Sequence, residues 1–185
     1  MGNMKKRILL AMADGFEEIE AIAPADILRR AGYEVILAGV TGLEVTGAHD
    51  IVVKCDQMIE ELDTNFDAII LPGGGLGAKN LADSWALNEK LLMIANNGAI
   101  VAAICAAPAV VLYPAGLLEG RKAVCYPGSE VNAPNFEFGE ERVCVDGNLI
   151  TSRGPGCALE FGLAIVEKLS GRELATTLKE RMLIK

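Results

Sequence analysis

The stretch that decides the fold is AIVAAICAAPAVVL, residues 99 to 112. It begins as a continuous apolar run suited to a strand buried on both faces and ends as a helical run. Cys105 sits at the seam, with Ala102 and Ala103 before it and Ala106, Ala107 and Pro108 after it. A strand that turns sharply into a helix is strained, and the flanking side chains pack close, so small neighbours are needed. The pattern predicts a nucleophile elbow with Cys105 at its tip.

The same alternation extends in both directions. RILLAMA (7–13) and YEVILAGV (33–40) read as strands around the helix EEIEAIAPADILRRAG (17–32). LEVTGAHDIVVKCD (43–56) reads as a short hairpin, and DAIILPGGG (67–75) as a strand entering a glycine turn. DSWALNEKLLMIANNG (83–98) is an amphipathic helix ended by Gly98. Beyond the opening stretch come three short strands, KAVCYPG (122–128), RVCVDG (142–147) and NLITSRGPG (148–156), then helices over 157–171 and 172–182. Apolar strands alternating with helices predict one α/β domain over residues 1–185, a mostly parallel sheet covered on both faces.

Composition narrows the function. A chain of 185 residues with 51% hydrophobic and 23% charged residues builds a sizeable core, burying about 70% of its unfolded surface. A net charge of −8 argues against nucleic acid as the main partner, because phosphate binding needs a basic face. No run is long and apolar enough for a membrane span, and the apolar start stops at Asp14, which suits a first strand better than a signal peptide. Five cysteines without a CxxC pair suggest free thiols in a cytoplasmic protein. No cysteine pair has zinc-ligand spacing, and His49, the only histidine, has no ligand near it in sequence, so no metal site is expected.

In a parallel sheet, ligands bind beyond the carboxyl ends of the strands, which directs attention to the loops there. LPGGGLGAKN (71–80) fits a dinucleotide pattern loosely through Gly73, Gly75 and Ala78. The strand that follows ends in Cys105 rather than in the acid that would hold a ribose, and the loop lacks the lysine and hydroxyl of a phosphate loop. Its backbone N–H groups are better suited to holding an oxyanion opposite the thiol. The helix starting near Ala106 should favour thiolate and lower the Cys105 pKa.

Such a nucleophile needs a proton partner, and no histidine follows it. DGFEEIEAIAP (14–24) offers Asp14, Glu17, Glu18 and Glu20 at the end of the first strand. On a helix starting near Phe16, Glu17 and Glu20 share a face and Glu18 points elsewhere. A carboxyl partly desolvated beside a thiolate has its pKa raised, stays protonated and donates a hydrogen bond to sulfur. Helical phase leaves Glu17 and Glu20 both open.

AICAAP (103–108), LPGGGLGA (71–78), DGFEEIE (14–20) and TSRGPGCALEFGLAIVE (151–167) together resemble the ThiJ/PfpI superfamily, in its parkinsonism-associated DJ-1/YajL-like branch. The resemblance runs through nearly the whole chain. It implies a flavodoxin-like three-layer sandwich, a homodimer, a readily oxidised cysteine and no cofactor. By position it makes Cys105 the nucleophile and Glu20 its protonated partner. Gly74 and Ala106 become backbone donors, and Gly154 and Pro155 the pocket border. Tyr126 stands where human-type members have a histidine; it can donate a hydrogen bond but is a poor base near neutral pH. His49 takes the place of an arginine in the hairpin and is expected at the surface. Ala106 replaces the histidine of the peptidase branch, which disfavours proteolysis. The implied activity is glyoxalase or deglycase chemistry on a small reactive carbonyl such as methylglyoxal. A redox sensor or redox-regulated chaperone is the competing expectation, since an accessible low-pKa thiol suits both.

Overall fold

The computed structural model of the protein describes residues 5–131 and 136–185. Five buried strands, apolar in their interiors except for Thr151 of the last, build the centre of the sheet: β1 (Arg7–Met12), β2 (Glu34–Gly39), β6 (Ala68–Leu71), β7 (Ile100–Ile104) and β9 (Leu149–Ser152). The seven-stranded order is β5-β2-β1-β6-β7-β9-β8, with β5 (Gln57–Met58) and β8 (Val143–Asp146) at the edges. Every pair is parallel except β8 with β9. A separate antiparallel hairpin joins β3 (Glu44–Thr46) to β4 (Val52–Lys54).

Side chains alternate between two cores, as the two-residue period of a strand requires. On one face Ile8, Leu10, Ile70, Ala102 and Ile104 meet α1 (Glu18–Arg30) and α4 (Ala158–Ser170) through Ala21, Ala25, Leu28, Phe161 and Ile165. On the other, Leu9, Ile69, Leu71, Val101 and Ala103 meet α2 (Gly75–Asp83) and α3 (Trp85–Asn96) through Ala78, Leu81, Leu87 and Leu91. The last helix, α5 (Arg172–Arg181), packs beside α4. This is the expected three-layer, flavodoxin-like sandwich. Among the described residues no helix is long and apolar enough to cross a membrane.

Three local readings needed correction. The glycine loop does not stay a loop: from Gly75 it winds into α2, with Gly74 as its first cap at φ +88°. KAVCYPG is not a strand, and Val124 makes only an isolated bridge to Gly139. The Val124 N–H is taken instead by Thr151 Oγ1 at 2.9 Å, and Pro127 follows, so no ladder extends. After Cys105 the chain enters a π-helical turn over Pro108–Leu112 rather than a regular α-helix. Pro108 has no N–H to return to Ile104, and the Tyr113 N–H instead reaches the Pro108 carbonyl at 3.0 Å.

The strand order reverses about β1, so the chain end of β1 and the neighbouring ends of β6 and β7 open into one crevice. Glu20, Gly74 and Cys105 arrive there from those three strand ends.

Candidate active site

Cys105 leaves β7 with φ +63°, a left-handed conformation costing a non-glycine residue about 1–2 kcal/mol. Two bonds impose it: the Cys105 N–H donates to the Ser152 carbonyl at 2.9 Å, and the Tyr126 N–H donates to the Cys105 carbonyl at 2.8 Å. Strain of this kind, held in place by surrounding bonds, is how a fold aims a reactive side chain. The flanking alanines, all buried, leave room for it.

Glu20 comes from the first turn of α1 and is fully buried. Its Oε2 accepts the Gly73 N–H at 2.9 Å, while Oε1 is buried with no partner that meets hydrogen-bond geometry. The carboxyl and the Cys105 thiol act on each other's proton affinity, and the N–H groups of Gly74 and Ala106 favour the charged form of the same sulfur. Gly73 is where these groups converge: a Cβ there would lie 2.5 Å from Cys105 Cβ and 2.7 Å from Glu20 Oε2. Gly74 is held as closely, since a Cβ would meet the Gly15 carbonyl oxygen at 2.2 Å. The run of glycines is therefore a requirement for close approach as well as a turn.

Burial pushes the Glu20 carboxyl up to about 7, and the charge of Glu17 adds to the rise against the hydrogen bonds from Cys105 and Gly73. Burial also raises the Cys105 thiol, and the Glu20 carboxylate raises it further, to about 12, against the Gly74 and Ala106 N–H groups. The expected lowering of the thiol pKa is thus reversed, because Cys105 is only 9% exposed and faces a carboxyl. The two groups titrate as a unit. One proton leaves near neutrality and the second only in strong alkali, so the pair carries a single negative charge in between.

The remaining residues form the walls. Tyr126 meets Cys105 through its backbone, and its ring, with 47% of the residue exposed, lies against Gly154, where a Cβ would be 3.1 Å from Tyr126 Cδ2. Pro155 opens the short turn Pro155–Cys157 just beyond. A cleft of about 580 Å³ is lined by Asp14, Gly15, Thr46, Gly47, Ala48, Gly75 and Leu76.

Some of the roles had no signal in the sequence. Gly73 supplies the N–H that fixes Glu20, and the Ser152 carbonyl fixes the elbow. His49 is carried by the hairpin to Glu17 and Glu18, and their ligand atoms lie within 4.8 Å of one another. This gathering is an ion-pair cluster: burial pushes the Glu18 carboxyl up, but hydrogen bonds from the His49 ring and backbone outweigh it and hold Glu18 below its ordinary value. All five cysteines are free.

Comparison with known proteins shows what the chain as a whole is similar to. The model of the DJ-1/PfpI family matches residues 6–168. Protein DJ-1 homolog B of Arabidopsis thaliana is 44% identical over 180 residues, 96% of this chain and 41% of that protein, so the chain spans less than half of that relative. A Pyrococcus abyssi protein named a deglycase is 38% identical over 157 residues, 81% of this chain and 91% of its own. The solved structure of oxidized Toxoplasma gondii DJ-1 is similar with a TM-score of 0.91 at 40% identity, covering 96% of this chain and 98% of that one.

Proposed function

This chain belongs to the DJ-1/PfpI family, in its DJ-1-like branch, and we propose that it is a glyoxalase or deglycase acting on methylglyoxal-type dicarbonyls or their early adducts. The observation that carries the reading is the buried Glu20–Cys105 pair, brought together at Gly73. The similar protein named a deglycase supports the same reaction class.

At rest the single charge of the pair lies on Glu20. The reactive form is reached when the Cys105 thiol passes its proton to that carboxylate, which leaves the charge on sulfur and the proton on Glu20. The sulfur attacks the aldehyde carbon, and the Gly74 and Ala106 N–H groups hold the oxygen that takes up the electron pair. Glu20 donates its proton to that oxygen, giving a hemithioacetal. As a carboxylate it then removes the proton from the attacked carbon and returns it to the adjacent carbonyl carbon through an enediol. The product is a lactoyl thioester on Cys105, and water releases lactate and restores the thiol. Methylglyoxal plus water equals lactic acid, so the cycle closes with no external oxidant or reductant. Tyr126 would donate a hydrogen bond to the second carbonyl, and Gly154 and Pro155 would border the substrate.

Reduced protein should convert methylglyoxal to lactate over many turnovers, and Cys105→Ser should abolish it. Retention of most of the rate by that variant would sink the assignment. A redox sensor is the second reading, favoured by the oxidized state of the similar Toxoplasma protein. It requires Cys105 to gain oxygen at low peroxide while the reduced protein makes no lactate. Assembly as a homodimer in the cytoplasm belongs to the same proposal. Exposed Ile19, Ile22 and Leu159 on α1 and α4 suit a covered face, and sedimentation of the pure protein would test it.

A further inference from the structure

The hairpin of β3 and β4 is fastened over the lip of the site by four backbone donors. The Gly15 N–H donates to the Thr46 carbonyl at 2.7 Å and the Ala48 N–H to the Phe16 carbonyl at 2.8 Å. The Thr46 N–H donates to Asp14 Oδ1 at 2.8 Å, and the His49 N–H to Glu18 Oε1 at 2.7 Å. Gly47 permits this approach, because a Cβ there would lie 2.2 Å from Glu18 Oε1. The turn therefore delivers the chain's only imidazole to the start of α1. His49 Nδ1 lies 2.8 Å from Glu18 Oε2 and 3.8 Å from Glu17 Oε1, while 66% of the side chain faces solvent.

Glu17 connects this surface cluster to the buried pair. It precedes Glu20 by three residues, one helical turn. Its N–H donates to the Gly73 carbonyl at 3.1 Å, and the Gly73 N–H in turn donates to Glu20 Oε2 at 2.9 Å. Glu20 itself is sealed from water. We propose that His49 is a positioning residue for the Glu20–Cys105 pair, setting through Glu17 how readily that pair releases its proton as solvent pH changes. The pair's reactivity is taken from the reading above, but the coupling is measurable without turnover.

The charged groups facing His49 are Glu17, which caps α1, Glu18 in its first turn and Asp50 from its own turn. The hydrogen bond to Glu18, then the charges of Glu17 and Glu18, hold its proton to higher pH than a free histidine. Those facing Glu20 are Glu17 and Cys105. Protonated His49 offsets the charge of Glu17, which lets the buried pair ionise. Neutral His49 leaves that charge uncompensated, and Glu20 keeps its proton longer. An arginine at position 49 would supply a fixed charge; the imidazole makes the charge follow pH across the range in which the pair titrates.

Alkylation of Cys105 by iodoacetamide, followed by peptide mass from mildly acid to alkaline pH, reads the sulfur directly. The midpoint for His49→Arg should fall about half a pH unit below that for His49→Gln, the size of a partly screened charge acting through one intervening carboxylate. Wild type should follow the arginine variant at acid pH and the glutamine variant at alkaline pH. Superimposed profiles, or both variants displaced in one direction, would overturn the coupling. The effect must be reciprocal, so the single imidazole resonance followed by NMR should show a His49 midpoint lowered by Glu20→Gln. An unchanged midpoint overturns the proposal even if the His49 variants fold poorly. Shifted alkylation profiles without lactate formation would leave the coupling standing and remove the reaction; lactate formation with superimposed profiles would do the reverse.

Discussion

Burial of Glu20 makes the stability of this protein depend on pH in the direction opposite to most carboxylates. The unfolded chain ionises Glu20 at its ordinary value of 4.5, whereas the folded chain keeps the proton up to about 7. The stabilisation is fully present below the unfolded value. It is lost as pH rises through the window up to the folded value, because unfolding then releases a proton. A displacement of that size corresponds to about 3 kcal/mol, at roughly 1.4 kcal/mol per unit. In a domain of this size it would lower the thermal midpoint by about 10 °C. Glu20→Gln isolates the effect, since the amide oxygen still accepts the Gly73 N–H but carries no titrating proton. Urea unfolding of both proteins across this window should show wild type losing about 3 kcal/mol relative to the variant as pH rises. The lowered carboxylates Asp63 and Asp146 act with the opposite sign, but they are common to both proteins and cancel. A wild-type-minus-variant difference that stays flat with pH would refute the burial of an ionisable Glu20.

Gly73→Ala should abolish Cys105 alkylation at neutral pH and cost about 1–3 kcal/mol in urea unfolding, because its Cβ would also lie 2.9 Å from the Ile104 carbonyl oxygen. Normal alkylation by that variant would mean the loop is not packed against the elbow. Tyr126→Phe should reduce kcat/KM for methylglyoxal about fivefold, the worth of one hydrogen bond; no change would take the hydroxyl out of the site. Glu18→Gln should loosen the hairpin, seen as faster amide exchange at Ala48 and His49, with a stability loss of about 1–2 kcal/mol from weakened charge-assisted bonds. Unaltered exchange at both amides would show that the hairpin is held by its other bonds alone.

What was legible in the sequence followed from periodicity. Buried parallel strands are apolar throughout, so β1, β2, β6 and β7 announce themselves, and the alanines around Cys105 mark a turn too tight for larger side chains. α2 was hidden because its first turn begins on glycines, which read as loop whatever the backbone does. The false strand at KAVCYPG came from its apolar residues, which fill a core while Val124 bonds to a side chain instead of a ladder. Proton affinities were less readable still. A helix start argues for thiolate, but burial beside Glu20 decides the sign, and burial is a property of the assembled crevice. The approach of His49 to Glu18 spans 31 positions and depends on the hairpin docking, which no local pattern encodes.

The division of labour between Cys105 and Glu20 is tested most directly by rapid mixing of Glu20→Gln with methylglyoxal, followed by whole-protein mass and lactate. The variant keeps the nucleophile and loses the proton carrier. It should accumulate a methylglyoxal adduct on Cys105 and release almost no lactate, while wild type turns over. Lactate released by the variant at a rate near wild type, or adducts formed everywhere except Cys105, would contradict the assignment.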